Sequence, residues 1–278
     1  MTRRITIVIA LAAVVALLAG CVGAIEGATL TPKVAPPVIR DKGVLRVAAD
    51  LQYPPFGGIV DGEKVGLDVD VASALAERLG LKVQLTDAKP EMAAKLVEAG
   101  DADVAIGALP VDQVVASGLA FAGTYASDAP ALFSSSEATA SLASVAGKRI
   151  AVQKDSYAYW ALIDEYGEDA VIVMPSLREA LTAAAGGQAD YAAGDAVVGS
   201  YLLRDFPALR FNGQLVPAYP LGVAVSKENT QLEQRVRAAL DQLAAKGVLE
   251  TLRAKWTDGM PRLEVPRSLD TTETPPAP

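Results

Sequence analysis

GDADVAIG occupies residues 100–107 and returns as GQADYAAG at residues 187–194, a shared G-x-A-D-x-A-x-G. Each copy follows a segment with helical apolar spacing and leads into a short apolar run that reads as a buried strand. Two readings fit: coincidence in a chain rich in alanine, or two α/β lobes built alike. On the second reading the strand ends of both lobes face a shared cleft. Ligands of open α/β sheets bind beyond the carboxyl ends of strands, and domain interfaces are common pocket sites.

The segments around the two copies alternate strand and helix. VLRVAA (44–49) reads as a strand, and Asp61-Gly62 as a tight hairpin turn. Asp68 or Asp70 is placed to cap a helix in which Val71, Leu75 and Leu79 share a face and which Gly80 stops. LKVQL (81–85) and VAIGA (104–108) are strands on either side of a helix that starts near Pro90. KRIAV (148–152), AVIVM (170–174) and LGVAV (221–225) are strands, and 156–166 is a helix. Ser176 and Glu179 form a capping box for a helix ending at Gly186. A long helix over about 230–246 buries Leu232, Val236, Leu240 and Leu243. This alternation predicts α/β layers with mainly parallel sheets.

Composition removes several function classes. The 278 residues suffice for two modest domains, and 51% apolar content argues for a packed fold. A net charge of −8 without a basic patch argues against nucleic acid as a partner. The chain has no histidine, which removes the commonest general base, the usual nucleophile triads and most zinc sites. No catalytic residue, cofactor or metal is assigned.

Arg3 and Arg4 precede an uncharged run from Ile5 to Ala19, which reads as a signal peptide over residues 1–20. The run ends Leu18-Ala19-Gly20-Cys21. This resembles the lipobox of bacterial lipoproteins, which implies cleavage before Cys21, lipidation of its sulfur and a membrane anchor. Cys21 is the chain's single cysteine, so no disulfide competes for it. Residues 21–38 then form a tether and 257–278, with five prolines, a flexible tail.

DLQYPPFGG (50–58) cannot be helix and cannot pair fully in a sheet, because two prolines stiffen it. It is an arm that holds Tyr53 and Phe56 at fixed angles. A preset arm loses little entropy on binding, and a ring face attracts cations as well as apolar stems.

IRDKGVLRVAADLQYPPF (39–56), VGLDVDVASALAERLGLKV (65–83), LVEAGDADVAIG (96–107), the Phe121…Tyr125 stretch, GKRIAVQ (147–153) and GQADYAAGD (187–195) follow one another in a telling order, up to a last helix ending Lys255-Trp256. Together they resemble the polar-amino-acid-binding, family 3 group of bacterial extracellular and periplasmic solute-binding proteins, which serve ABC importers. The resemblance implies a type II periplasmic-binding-protein-like α/β fold of two lobes and two crossing segments, closing on ligand like a clamp. The crossings fall near 126–131 and 216–221. Lobe one is then 39–128 plus 219–256, and lobe two is 129–218. It also implies a permease partner, a monomer and a site that contains Tyr53 as a ring platform, Phe56, and Asp195 of AGDAV as the partner of an α-amino group.

The chain departs from the family where a carboxylate would be held. The family's T-x-x-R, counted back from Phe121, falls on Asp112 and Val115, so the arginine is missing. The small hydroxyl positions upstream hold Ala108 and Pro110, and the Gly-Thr-Thr-like turn of lobe two reads Asp155-Ser156-Tyr157. Asp50 adds a further acid. A bidentate arginine is the strongest neutral-pH grip on a carboxylate. The expected ligand is therefore a small polar solute, amino-acid-like or a cationic amine, without a clamp for a free α-carboxylate. The candidate site is Asp50, Tyr53, Phe56, Ala108, Asp112, Ser156, Tyr157 and Asp195. Plainer roles compete: core packing for Phe56, and for Tyr157 with Trp160, and helix caps for Asp112 and Asp195. Arg149, Arg178 and Arg204 are the substitutes considered for the missing arginine. Two alternative functions stand beside transport: a sensor or surface lipoprotein that no longer imports, and a dehydratase-like enzyme on the same fold.

Overall fold

The computed structural model describes residues 30–257, 260 and 262–264. The leader and Cys21 lie outside the described residues. In chain order the first part comprises β1 (Val44–Ala49), the hairpin β2 (Gly58–Val60) and β3 (Glu63–Val65), α1 (Leu67–Arg78), β4 (Lys82–Asp87), α2 (Pro90–Glu98), β5 (Val104–Pro110), α3 (Val111–Ala116) and β6 (Ala120–Asp128). Next come β7 (Pro130–Ser134), β8 (Ile150–Gln153), α4 (Tyr157–Tyr166), β9 (Val171–Met174), α5 (Leu177–Ala185), β10 (Tyr191–Asp195), α6 (Ala196–Leu202) and β11 (Arg210–Gln214). β12 (Tyr219–Val225), α7 (Thr230–Ala245) and α8 (Val248–Trp256) follow as the last strand and helices of the described residues.

Two five-stranded sheets result, in the orders β4-β1-β5-β12-β6 and β11-β7-β10-β8-β9. β4, β1 and β5 run parallel, as do β9, β8 and β10, while β12 and β7 run antiparallel to their neighbours. The chain leaves the first sheet between β6 and β7 and returns between β11 and β12. The parallel strand ends that carry the arm, Ala108, Tyr157 and Asp195 therefore converge between the lobes.

The repeated G-x-A-D has a physical basis. In the first lobe Arg46 of β1 donates its backbone N–H to Asp103 Oδ2 at 2.8 Å and Nη2 to Asp103 Oδ1 at 2.9 Å, and its guanidinium also reaches the carbonyls of Gly100 and Asp101. In the second, Arg149 donates its N–H to Asp190 Oδ2 at 2.9 Å and Nη2 to Asp190 Oδ1 at 2.7 Å, and reaches the carbonyls of Gly187 and Gln188. The motif is one clamp used twice, tying the entry of the third strand to the first. The Arg46–Asp103 copy is buried and the Arg149–Asp190 copy exposed, so the first is the one whose single removal leaves a buried charge unpaired.

Asp61 and Gly62 both take positive φ, 52° and 83°, as a two-residue hairpin requires. α7 buries Leu232, Val236, Leu240 and Leu243 as the spacing predicts. Ser176 caps α5 and bonds Glu179 in return. Neither Asp68 nor Asp70 caps α1, whose N-cap is Gly66. Asp68 lies one residue inside the helix and turns into the core, and Asp70 accepts from Lys255 and Trp256. The tether packs down from Lys33, which bonds the carbonyls of Leu79 and Arg78, and Val34 is buried. The described part of the C-terminal segment is likewise held rather than free. Met260 and Leu263 are buried, and Glu264 bonds Gln214 and Ala218 beside the return crossing.

Candidate ligand-binding cleft

The arm between β1 and β2 is fixed at both ends. Leu51 N–H donates to Asp87 Oδ1, Gln52 N–H to Asp50 Oδ1, and the carbonyls of Pro55 and Phe56 accept from Leu67 and Asp68 at the start of α1. Gly57 allows the arm to fold back, since a Cβ there would lie 2.0 Å from the Asp50 carbonyl oxygen. Phe56 is 1% exposed and stacks under Tyr53, with ring centroids 5.7 Å apart at 11°. It supports the platform and does not line the cleft.

A cavity of about 250 Å³ opens between the lobes. Its lining includes Asp50, Tyr53, Ala108, Tyr157 and Asp195 of the expected set. Asp112 is not among the lining residues, but it accepts from the lining Tyr157 Oη at 3.3 Å. Ser156 is set back, capping α4 through the Tyr159 N–H. Gly107, Pro90, Pro110 and Leu221 add apolar wall. Three more lining side chains were not foreseen: Gln113, Asp128 and Tyr219.

Hydrogen bonds span the cleft. Tyr53 Oη donates to Asp195 Oδ2 at 3.0 Å, and Gln113 Nε2 to Tyr157 Oη at 3.3 Å. The Tyr157 and Tyr219 rings lie 4.9 Å apart. Although 36% of Tyr53 remains exposed, its hydroxyl lies against Asp195. Burial, reinforced by Asp195, pushes the Tyr53 hydroxyl far up, and burial beside Asp128 and Asp195 does the same to Tyr219, so both remain donors.

Asp195 is the residue before α6 but does not cap it. That role falls to Asp128, whose Oδ1 accepts from Ala129 N–H at 2.8 Å and Val197 N–H at 3.1 Å. Burial, then the charge of Asp195, holds the Asp128 carboxyl well above the usual range, against the pull of those N–H groups. Burial also raises Asp195, and the Tyr53 hydroxyl partly offsets it. Behind the wall, Asp68 is fully buried and accepts from Ala108 N–H at 3.1 Å, which pins the positive-φ residue Ala108 (φ 50°). Burial pushes Asp68 up to about 7.

No lysine or arginine is among the lining residues. Arg149 pairs with Asp190, Arg178 with Asp205, and Arg204 lies over the Tyr201 ring. Val115, where the family arginine was expected, is 60% exposed and absent from the lining. The same helix presents Gln113 instead. Gln113 stands three residues after Pro110, so a T-x-x-R count taken forward from Pro110 ends on Gln113, whereas the count back from Phe121 ends on Val115. The cleft therefore gathers three carboxylates, three tyrosines and the neutral amide of Gln113.

A family model for bacterial extracellular solute-binding proteins, family 3, matches residues 45–259. The chain belongs to that family. Among its relatives is a protein of Escherichia coli (strain K12) named as arginine-binding protein 2 of an ABC transporter, 27% identical over 223 residues, covering 76% of this chain and 90% of the relative. The histidine-binding periplasmic protein of Salmonella typhimurium (strain LT2) is 25% identical over 236 residues, covering 77% and 87%. Among solved structures, an ancestral cationic amino acid solute-binding protein superposes with a TM-score of 0.69 at 23% identity, covering 78% of this family 3 chain and 96% of that one. The two-lobed type II periplasmic-binding-protein fold and an extracytoplasmic location follow for this family 3 protein.

Proposed function

We propose that this chain is a lipid-anchored receptor of an ABC importer that closes on a small cationic amine or amino-acid-like solute. One observation carries the reading: Asp50, Asp128 and Asp195 face a cavity with three tyrosine rings and no lysine or arginine among its lining residues. Carboxylates supply charge, and ring faces supply cation–π attraction. An anionic ligand end finds no counter-charge there, and leaving it unpaired in a closed cleft costs several kcal/mol. The relatives named for arginine and histidine support a cationic solute, while the neutral amide of Gln113 argues against a clamped α-carboxylate. The lobes bind and release without chemistry. The chain works as a monomer anchored at Cys21, with an ABC permease as partner.

The test is thermal unfolding of residues 22–278 against amino acids, polyamines, choline, betaines and sugars. Ligand at about a thousand times its Kd adds roughly 4 kcal/mol, a rise of about 10 °C for this size. Shifts with putrescine or agmatine and none with neutral amino acids are expected. A shift confined to neutral amino acids overturns the reading. Mass spectrometry of incubated cation checks that nothing is turned over. Detergent partitioning of wild type against Cys21→Ser tests the anchor.

A further inference from the structure

We infer that Asp128 is a second cation-binding carboxylate of this cleft, and that Asp128 and Asp195 hold one proton between them until a cationic solute displaces it. This rests on the cleft being a cation site. Asp128 stands at the first crossing, where β6 leaves its sheet, and Asp195 stands where β10 ends and α6 begins. The two carboxyls meet at one place because Asp128 binds the first turn of the helix that Asp195 precedes.

Asp128 is 3% exposed, yet it lines the cavity. Oδ1 is committed to Ala129 and Val197, while Oδ2 makes no hydrogen bond among the described residues. A carboxylate oxygen without a protein donor, on a residue that lines the cavity, is an open position for an N–H of a ligand. Asp195 has its own donor in Tyr53.

The surroundings supply no counter-charge. The groups facing the pair are Asp50 and Tyr53 from the arm, Tyr125 from β6 with Asp68 from α1 behind it, Tyr157 from α4 and Tyr219 from β12. All are acids or neutral donors. Two neighbouring carboxyls in such a place do not both ionise. One proton neutralises one of them, and a bound ammonium or guanidinium does the same. Binding then exchanges one for the other: the carboxylic O–H breaks, the carboxylate pairs with the cation and the proton leaves to solvent. Affinity for a cation consequently falls as pH falls, by up to about tenfold per pH unit where one proton is displaced.

Two measurements test this. Calorimetry of putrescine and agmatine is run in two buffers of different ionisation enthalpy. Wild type is expected to release close to one proton per ligand, and Asp128→Asn and Asp195→Asn none. Asparagine keeps an oxygen for Ala129 and Val197, and Asp195→Asn serves should Asp128→Asn fold poorly. Cation binding without proton release overturns the inference. Infrared difference spectroscopy of the ligand-free protein is independent of any ligand. A carboxylic C=O stretch at neutral pH, additional to that of Asp68, that vanishes in both variants supports the shared proton, and a wild-type band no larger than that of the variants overturns it. Should neither cation bind, the cation reading of the cleft fails, and the infrared band still decides the state of the pair.

Discussion

Asp128 caps the helix that begins at Asp195. Its Oδ1 accepts from Val197 N–H at 3.1 Å, whereas the Asp195 side chain makes no cap bond and instead accepts from Tyr53 across the cleft. A residue in the N-cap position normally spends its oxygen on its own helix. Here the end of β6, a strand of the other sheet, supplies the cap and leaves Asp195 to the Tyr53 hydroxyl.

That arrangement carries a cost in the ligand-free protein. The Asp128 carboxyl is raised by burial and by Asp195, so the stability it contributes is present at low pH and lost as pH rises. Asp128→Asn is expected to raise the thermal midpoint at pH 7.5 by a few degrees, with the advantage shrinking toward pH 4. Asp128→Ala removes the acceptor for two N–H groups and is expected to cost about 1–3 kcal/mol in urea unfolding.

Asp68 gives a second pH signature. Its carboxyl, raised by burial to about 7, is favoured in its protonated form by the fold. Its stabilising contribution is full below the unfolded value near about 4 and disappears as pH passes about 7. Wild type is expected to lose thermal stability between pH 5 and pH 8. Asp68→Asn should flatten that slope; an unchanged slope would show that Asp68 is not its source.

The register of the missing arginine is testable by addition. Gln113→Arg places a guanidinium on the side chain that lines the cavity, and is expected to create measurable binding of neutral amino acids such as glutamine. Val115→Arg sits at an exposed position outside the lining and is expected to leave binding unchanged. Calorimetry with glutamine separates the two. Binding gained by Val115→Arg alone would return the arginine to the position counted from Phe121.

Tyr53 offers two separable parts. Tyr53→Phe removes the hydroxyl bond to Asp195 and keeps the ring, and should weaken cation binding by roughly 1 kcal/mol. Tyr53→Leu removes the π face as well, and should cost about a further 1–2 kcal/mol for a cation. Equal losses would mean that the ring acts only as apolar wall.

Much of the scaffold was legible because local signals agreed with the fold. VLRVAA is β1 residue for residue, and the apolar spacing of α7 names its buried face. The arm betrayed itself through its prolines. The echoed G-x-A-D was visible without its partner, since nothing local links Asp103 to Arg46 or Asp190 to Arg149. Asp128 and Tyr219 escaped notice because they lie on the crossing strands, where function depends on which sheet a strand joins. Asp68 resembled an N-cap by position, but Gly66 starts the helix and turns that carboxyl inward. Gln113 escaped notice because the T-x-x-R count back from Phe121 lands on Val115, two residues away, while the side chain that lines the cavity belongs to Gln113.

The two sheet orders have one more consequence. Taken from the parallel edge inward, β4-β1-β5 and β9-β8-β10 correspond, followed by β12-β6 in one sheet and β7-β11 in the other. The chain is thus two successive halves of five strands each, β1-β4-β5-β6-β7 and β8-β9-β10-β11-β12, with the β2–β3 hairpin added to the first. Each half gives its last strand to the other's sheet, where, among the described residues, that strand alone links the fourth strand to the first three. Neither half can close a sheet alone. The topology is that of a strand-swapped dimer written into a single polypeptide, and the candidate cleft lies at what amounts to a subunit interface.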